Sequence, residues 1–219
     1  MTMDVVVLCS NGRVGSRIAA EAVHRGHRVT GLDLQETSSV PGLAGYHRLD
    51  IADVDGIAAA STGADAVVYA GAPLALGLDK VEALVDGVVA ATKKAGVPRL
   101  LVVGGSGSAL TTEGKVYLYT KYFSKTIRPV VGMHERVLEH LRKEHELDWV
   151  VQTPPAMMEE NVGERTGRYR TGHDHLVVTD LHSTDYPHIS TISMQDYAVA
   201  MVDEIERPAH HRERYTVGY

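Results

Sequence analysis

An apolar run followed at once by a glycine-containing loop and an amphipathic helix constrains the fold of this chain more than any other feature. Residues 5–9 are apolar and mostly β-branched, which is typical of a strand buried on both faces of a parallel sheet. Residues 16–25 carry apolar side chains at helical spacing, and Gly26 is a typical end for a helix. Residues 28–32 predict a second strand. The chain therefore opens with a βαβ unit.

The same alternation continues along the chain. Its 219 residues, 44% of them hydrophobic, are enough for one α/β domain with a substantial core. Alternating strands and helices predict an α/β fold, namely a Rossmann-like doubly wound parallel sheet with a small C-terminal substrate-side region. We expect a single domain over residues 1–219, with its core at 1–109 and lid segments at 110–134 and 153–192. Further strands are predicted at residues 45–49, 66–70, 99–103, 148–152 and 215–217, and further helices at 53–61, 78–95, 133–146 and 193–206.

The loop between the first strand and the first helix has the features of a pyrophosphate site. Gly12 and Gly15 let the backbone approach a ligand closely, and the helix start supplies free N–H groups and the positive end of the helix dipole. The usual loop of this kind has three glycines, whereas the first position here is Cys9. We predict that a nicotinamide dinucleotide binds at Asn11, Gly12, Arg13, Val14 and Gly15.

Residues at the ends of the next strands extend this predicted site. The Asp33 carboxylate is placed to accept hydrogen bonds from the adenosine ribose and would repel a 2′-phosphate, whereas Arg13 is able to pair with one. The predicted cofactor is therefore NAD or NADP, with NAD favoured. The alternative for Asp33 is a turn residue that simply follows the strand. Asp50, at the end of the third predicted strand, either receives the adenine amino group through its carboxylate or neighbouring backbone, or caps the following helix. The remaining predicted contacts are Asp50, Ile51, Ala70, Gly71, Ala72 and Gly104.

Composition argues against several other classes of protein. The net charge of −6 argues against a nucleic-acid partner. Cys9 is the only cysteine, so no disulfide forms within the chain, as in a reducing cytoplasm. No signal peptide or membrane-length apolar stretch is apparent, so we expect a cytoplasmic protein without a membrane partner. His173, Asp174 and His175 lack an established metal-site pattern, so no metal is predicted.

Several segments in a fixed order resemble the NAD(P)H-binding, NmrA-like branch of the atypical short-chain dehydrogenases/reductases. These segments are residues 11–15, 49–53, 63–68, 96–108, 147–155 and 192–198. The resemblance spans nearly the whole chain, and it implies a Rossmann-like fold, a nicotinamide cofactor and oxidoreductase activity on flavins, quinones or other small carbonyl compounds. The sequence departs from the family pattern at Cys9, at Leu34, where NADP-preferring relatives often carry Arg, and at Gln152, which replaces the Arg of an R-P-P motif.

The candidate catalytic residues are Ser106, Tyr117 and Lys121. Classical short-chain dehydrogenases place a Tyr and a Lys one helical turn apart, so that the Lys lowers the pKa of the Tyr. Tyr117 and Lys121 have this spacing if their segment is helical, and otherwise the tyrosines pack over the substrate pocket or at a subunit contact. Ser106 follows the fifth strand and is predicted beside the nicotinamide. His134 is an alternative acid unless it faces solvent.

The sequence thus predicts an NAD(P)H-dependent oxidoreductase that transfers hydride to a small planar acceptor such as a flavin, a quinone or a carbonyl compound. A non-catalytic redox sensor that binds NAD(P), and a nucleotide-sugar epimerase or dehydratase, are the alternatives. Met157 and Met158 follow a proline pair, where they either line a flat pocket for an aromatic substrate or simply pack. The expected partners are this small-molecule substrate and a second copy of the chain in a homodimer.

Overall fold

The structure, a computed structural model, describes residues 1–71, 80–126, 128–159 and 164–219. Ten strands and six helices lie in these ranges. In chain order they are β1 (Asp4–Leu8), α1 (Gly15–His24), β2 (Arg28–Asp33), β3 (Gly45–Arg48), α2 (Val54–Ser61), β4 (Ala66–Tyr69), α3 (Val81–Lys94), β5 (Arg99–Val103), α4 (Arg128–Val131), α5 (Met133–Leu141), β6 (Asp148–Thr153), β7 (Met157–Glu159), β8 (Arg170–Gly172), β9 (Thr191–Ser193), α6 (Met194–Glu206) and β10 (Glu213–Gly218).

An eight-stranded sheet organises the fold, in the order β3-β2-β1-β4-β5-β6-β10-β8. Every neighbouring pair is parallel except β10 and β8, which are antiparallel. The chain first builds outward from β1 to β3 and then crosses to β4 on the other side of β1. Open α/β sheets bind ligands outside the carboxyl ends of the strands at such a switch point. The predicted Rossmann-like, doubly wound sheet is confirmed.

Both faces of the sheet are covered by helices. On one face α2, α3 and α5 enclose a core that includes Leu100 and Trp149. On the other face α1 and α6 enclose a core that includes Ile18 and Met201. The central strands contact both cores, which explains why they are continuous apolar runs instead of alternating ones. Trp149 also donates a hydrogen bond from its Nε1 to the carbonyl of Glu144, at 3.0 Å.

The lid segments contain more regular structure than the sequence indicates. Helix α4 lies within 110–134, and β7 and β8 lie within 153–192. Elements of three or four residues are too short to give a periodic signal. Helix α5 ends at Leu141 instead of residue 146, because the Glu144 carboxylate accepts the N–H groups of Glu146 and Leu147 in a turn. The first two residues of the helix predicted at 78–95 lie outside the described residues.

Gln152 on β6 lies in a buried polar network between the sheet and α6. Its Nε2 donates to the carbonyl of Tyr197 at 2.8 Å, and its Oε1 accepts the hydroxyl of Tyr215. The carbonyl of Gln152 accepts the Tyr197 hydroxyl at 2.7 Å and the N–H of Gly104 at 2.9 Å. Gln152 is wholly buried. Its neutral amide satisfies these neutral partners without placing a charge in the core.

A second buried network joins the amino ends of β5 and β6 to α6. Arg99 makes ion pairs with Glu204 at 2.5 Å and Asp148 at 2.9 Å, and it also donates to the carbonyl of His210. Glu204 in turn accepts the N–H groups of Ala209 and His210, both at 3.0 Å. Because nearly every polar atom in the network has a partner, it anchors α6 to the amino edge of the sheet.

Replacing Gln152 with leucine should lower the free energy of unfolding by about 3 kcal/mol, because the Tyr215 hydroxyl and the Tyr197 carbonyl lose buried partners. Chemical denaturation followed by circular dichroism measures this loss. The double variant Gln152→Leu/Tyr215→Phe should recover part of the stability, since the hydroxyl is removed with its partner. Equal stability of wild type and Gln152→Leu would contradict this account of the network.

Candidate functional site

The loop after β1 forms a narrow backbone cradle at the start of α1. The N–H of Gly12 donates to the carbonyl of Cys9 at 3.1 Å, which closes a tight turn. A Cβ on Gly15 would lie 2.2 Å from the Cys9 carbonyl oxygen, and one on Gly12 would lie 3.2 Å from it. The helix therefore approaches the strand so closely that only glycine fits at position 15. Such a cradle fits a pyrophosphate group, which needs free backbone N–H groups and no intervening Cβ.

Cys9 occupies the position where the loop pattern has its first glycine. Its φ of +61° lies in the left-handed region, so the backbone keeps a conformation typical of glycine despite the side chain. The thiol lies against Gly71, where an added Cβ would be 2.9 Å from the Cys9 Sγ. Burial, together with the nearby charge of Asp33, raises the pKa of the Cys9 thiol to about 12, so the group remains protonated.

One side of the loop borders a cavity of about 190 Å³ at the ends of β1, β2 and β3. Asp33 lies at its edge, where the carboxylate accepts the N–H of Asn11 at 2.9 Å. The walls are mainly apolar, which suits a flat ring such as adenine with a hydrogen-bond acceptor at its edge. The lining residues are Leu8, Cys9, Asn11, Gly12, Leu32, Asp33, Leu34, Gln35, Leu49 and Ile51.

A larger cavity of about 410 Å³ lies at the carboxyl ends of β4, β5 and β6. Ser106 and His134 contribute the polar side chains among the described residues that line it. Val14 also borders this cavity. It belongs to the loop between β1 and α1, residues 9–14, which we call the phosphate loop, so the two cavities adjoin the same loop. The lining residues are Val14, Ala70, Gly71, Val103, Gly104, Gly105, Ser106, Phe123, Val131, Met133, His134, Pro154, Pro155, Ala156 and Met158.

His134, near the start of α5, is half-buried and lines this larger cavity. Its ring packs on the backbone of Gly105, where an added Cβ would lie 2.8 Å from the imidazole Cδ2. Burial lowers the pKa of His134 below its usual value. Ser106 begins a single 3-10 turn, Ser106–Ser108, beside it. The structure thus brings a neutral imidazole and a hydroxyl to one cavity.

The structure does not form the Tyr–Lys pair that the spacing suggests. Tyr117 lies in a short 3-10 turn that ends at Tyr119, so Lys121 is not one helical turn away. Tyr117 is buried against Phe123 and Tyr186, with ring centroids 4.8 and 5.3 Å apart, and burial raises its pKa to about 12. Lys121 is exposed, with its Nζ 5.4 Å from the centroid of the Tyr122 ring. The segment follows the alternative prediction instead, in which its tyrosines pack beside the pocket.

Asp50 lines neither of the two cavities described above, whereas Arg13 lies on the loop where the sequence predicts it. Asp50 is exposed and accepts the N–H of Ala52 at 2.9 Å in a local turn. The cap of α2 is Asp53, which accepts the N–H of Gly56 at 2.9 Å, so the capping alternative for Asp50 is wrong. Arg13 is exposed on the loop. Ala72 lies outside the described residues.

Metal-binding and membrane-spanning features are absent from the part of the chain that the structure describes. No three His, Cys, Asp or Glu side chains there are grouped to hold a metal ion. Asp174 instead forms an ion pair with Arg214 at 2.6 Å. No helix within the described ranges is long and apolar enough to cross a membrane.

Sequence reasoning missed several lining residues that one rule would have found. Leu49 follows β3, and Pro154 and Pro155 follow β6. Applying the carboxyl-edge rule to every predicted strand, and not only to those with polar residues at their ends, identifies these positions. Phe123 has no such signal, because its segment lacks a periodic pattern.

Replacing Gly15 with alanine should abolish dinucleotide binding, because the new Cβ forces α1 away from the Cys9 carbonyl and opens the cradle. Gly12→Ala is the matched control on the same loop. Its Cβ would make a looser contact with the Cys9 carbonyl oxygen, so this variant should lose less dinucleotide affinity. Titration with NADH and NADPH, followed by nicotinamide fluorescence, measures both variants. Equal affinity of Gly15→Ala and wild type would show that the cradle is not the pyrophosphate site.

Comparison with known proteins agrees with this geometry. Residues 10–208 match the model of a family described as NAD(P)H-binding. The Bacillus subtilis protein YwnB is 33% identical over 223 residues, with 98% of each chain covered. A proposed epimerase from Bacteroides thetaiotaomicron is 35% identical with a TM-score of 0.86, covering 100% of this chain and 98% of that one. A proposed NADH-flavin reductase from Streptococcus pneumoniae is 29% identical with a TM-score of 0.79, and 99% of each chain is covered. The predicted NAD(P) cofactor is thereby confirmed at the level of the family, which does not distinguish NAD from NADP, and the chain belongs to the NAD(P)H-binding family.

Proposed function

We propose that the protein is an NAD(P)H-dependent oxidoreductase that reduces a small planar acceptor, such as a flavin or a quinone. The observation that supports this most is the larger cavity, whose apolar walls adjoin the phosphate loop and carry the polar side chains Ser106 and His134. The similarity to the proposed Streptococcus pneumoniae NADH-flavin reductase supports the same reaction class. The finer choice of acceptor rests on the shape and chemistry of the cavity.

The residues around the phosphate loop fit a dinucleotide. The Gly12 and Gly15 cradle would hold the pyrophosphate, the smaller cavity would hold the adenosine with its ribose at Asp33, and the larger cavity would hold the nicotinamide. Bound NAD(P)H supplies a hydride. In this arrangement the cofactor's reactive end and the acceptor would share the same apolar cavity.

Apolar side chains around this cavity would orient the acceptor and exclude water. Phe123, Pro154 and Met158 provide flat or flexible walls for an aromatic ring. When the acceptor gains a hydride, negative charge develops on one of its oxygen or nitrogen atoms. The Ser106 hydroxyl and an N–H of the neutral His134 imidazole would donate hydrogen bonds to that atom, and a proton from solvent then neutralises it.

The absence of a Tyr–Lys pair at Tyr117 and Lys121 favours this class of acceptor. In short-chain dehydrogenases, reducing an isolated carbonyl or oxidising a sugar hydroxyl uses a phenol of lowered pKa to exchange a proton. Tyr117 has a raised pKa and packs among aromatic rings. A flavin or quinone spreads the incoming charge over a conjugated ring, so positioning and hydrogen bonds suffice.

Turnover tests this function directly. Purified protein should oxidise NADH or NADPH in the presence of FMN, riboflavin or menadione, followed at 340 nm. Saturable binding of the dinucleotide without turnover of any acceptor would instead support the non-catalytic sensor.

His134→Asn should lower kcat/KM for the acceptor by between about tenfold and a hundredfold, because the charge that develops on the acceptor loses a hydrogen bond. Dinucleotide affinity should not change. His140→Asn is the matched control, since His140 is on the same helix but pairs with Asp86 at the surface. Equal losses in the two variants would contradict a role for His134 at the acceptor.

The wild-type enzyme should also lose kcat/KM in acid. The lowered pKa of His134 keeps the imidazole neutral at pH 7 and above, and activity there should be level. As the pH falls below the ordinary histidine value of about 6.5 and reaches the lowered pKa, protonation places a cation in the apolar cavity. Rate measurements between pH 5 and pH 8 check this, and His134→Asn should flatten the acid limb.

A further inference from the structure

Asn11 uses its whole side chain to hold the segment that follows β2. Its Oδ1 accepts the N–H of Ser39 at 2.8 Å and the hydroxyl of the same serine at 3.1 Å. Its Nδ2 lies 3.0 Å from the carbonyl of Thr37 and 3.1 Å from the hydroxyl of Tyr46, and a longer contact reaches Gln35. Both ends of the amide are therefore engaged by the protein, although Asn11 lies on the phosphate loop.

The segment held in this way, residues 34–39, borders the adenosine cavity beside Asp33. The Tyr46 hydroxyl donates to the carbonyl of Gln35 at 2.7 Å, which fixes the segment to β3. Arg48, also on β3, donates to the carbonyl of Leu34 at 3.2 Å and pairs with Glu36 at 2.5 Å. The Arg48 guanidinium is thus engaged by the Leu34 carbonyl and the Glu36 carboxylate of this segment.

We infer that Asn11 determines the cofactor preference of this protein, selecting NADH over NADPH by holding residues 34–39 closed against the adenosine ribose. This inference rests on the proposed function, because it assigns the adenosine of the dinucleotide to the smaller cavity. Asn11 acts as a positioning residue, since both ends of its amide are engaged by residues 35–39 and Tyr46.

The chemistry of the closed segment explains the direction of the preference. A 2′-phosphate needs a cation next to the ribose, and NADP sites supply an arginine for it. Asp33 offers a carboxylate at this place, and the next side chain is that of Leu34. Holding the segment closed keeps Leu34 and Gln35 in the cavity wall, where neither side chain offers a cation to a 2′-phosphate.

Binding titrations of the full chain test the inference without any acceptor. The probes are NADH, NADPH and reduced nicotinamide mononucleotide, which lacks adenosine. Asn11→Ala should weaken NADH by about tenfold, because the segment loses hydrogen bonds at both ends of the amide. NADPH and the mononucleotide should change little. Hydrogen exchange of the amides at 34–39 should become faster in the same variant.

Thr37→Ala is the matched control. It removes an exposed side chain from the same segment but keeps the backbone carbonyl that accepts from Asn11. It should bind NADH as the wild type does.

Each remaining outcome has a distinct meaning. A wild type that prefers NADPH, or an Asn11→Ala variant with an unchanged ratio of NADH to NADPH affinity, would overturn the role of Asn11 and leave the proposed function standing. Equal weakening of NADH and of the mononucleotide would assign Asn11 to the phosphate loop and also overturn the inference. Failure of wild type to bind any of the three probes would overturn the proposed function itself.

Discussion

The approach of α1 to β1 is the contact on which the rest of the site depends. Gly15 lies so close to the Cys9 carbonyl that no side chain fits between helix and strand. This contact brings the helix start, with its free N–H groups, to the switch point of the sheet. The smaller cavity opens on one side of the loop and the larger cavity on the other. One steric constraint therefore positions the two cavities with respect to each other.

The residues that line each cavity come partly from the segments that cover it. The smaller cavity is bordered by residues 34–39, which Asn11 and Tyr46 fasten to the loop after β1 and to β3. The larger cavity is bordered by Phe123, Pro154 and Pro155, together with His134 from α5. The sheet supplies a scaffold shared by the fold, whereas in our proposal the covering segments select the cofactor and the acceptor.

The sequence predicted the sheet, its helices and the Gly12–Gly15 loop because these features are recorded in local patterns: apolar runs, helical spacing and glycines between them. It did not predict the left-handed backbone of Cys9, since residue preference there favours glycine and the neighbouring structure overrides it. Nor did it predict the partners of the Asn11 side chain, which lie 24 to 35 residues away along the chain. The orientation of His134 depends on how α5 packs against the backbone of Gly105, and no local pattern describes a contact between such distant residues.

The Arg99 network has a consequence for how this protein can change over evolutionary time. It fastens α6 at the amino ends of β5 and β6, while Ser106 and Pro154 lie beyond their carboxyl ends, about 13 Å away along a five-residue strand. Substitutions that far apart have nearly additive effects on the free energy of unfolding. A substitution at the larger cavity therefore leaves the Arg99 network intact, so the lining of the cavity can change over generations without rearrangement of the opposite edge of the sheet, provided that each change costs little stability by itself.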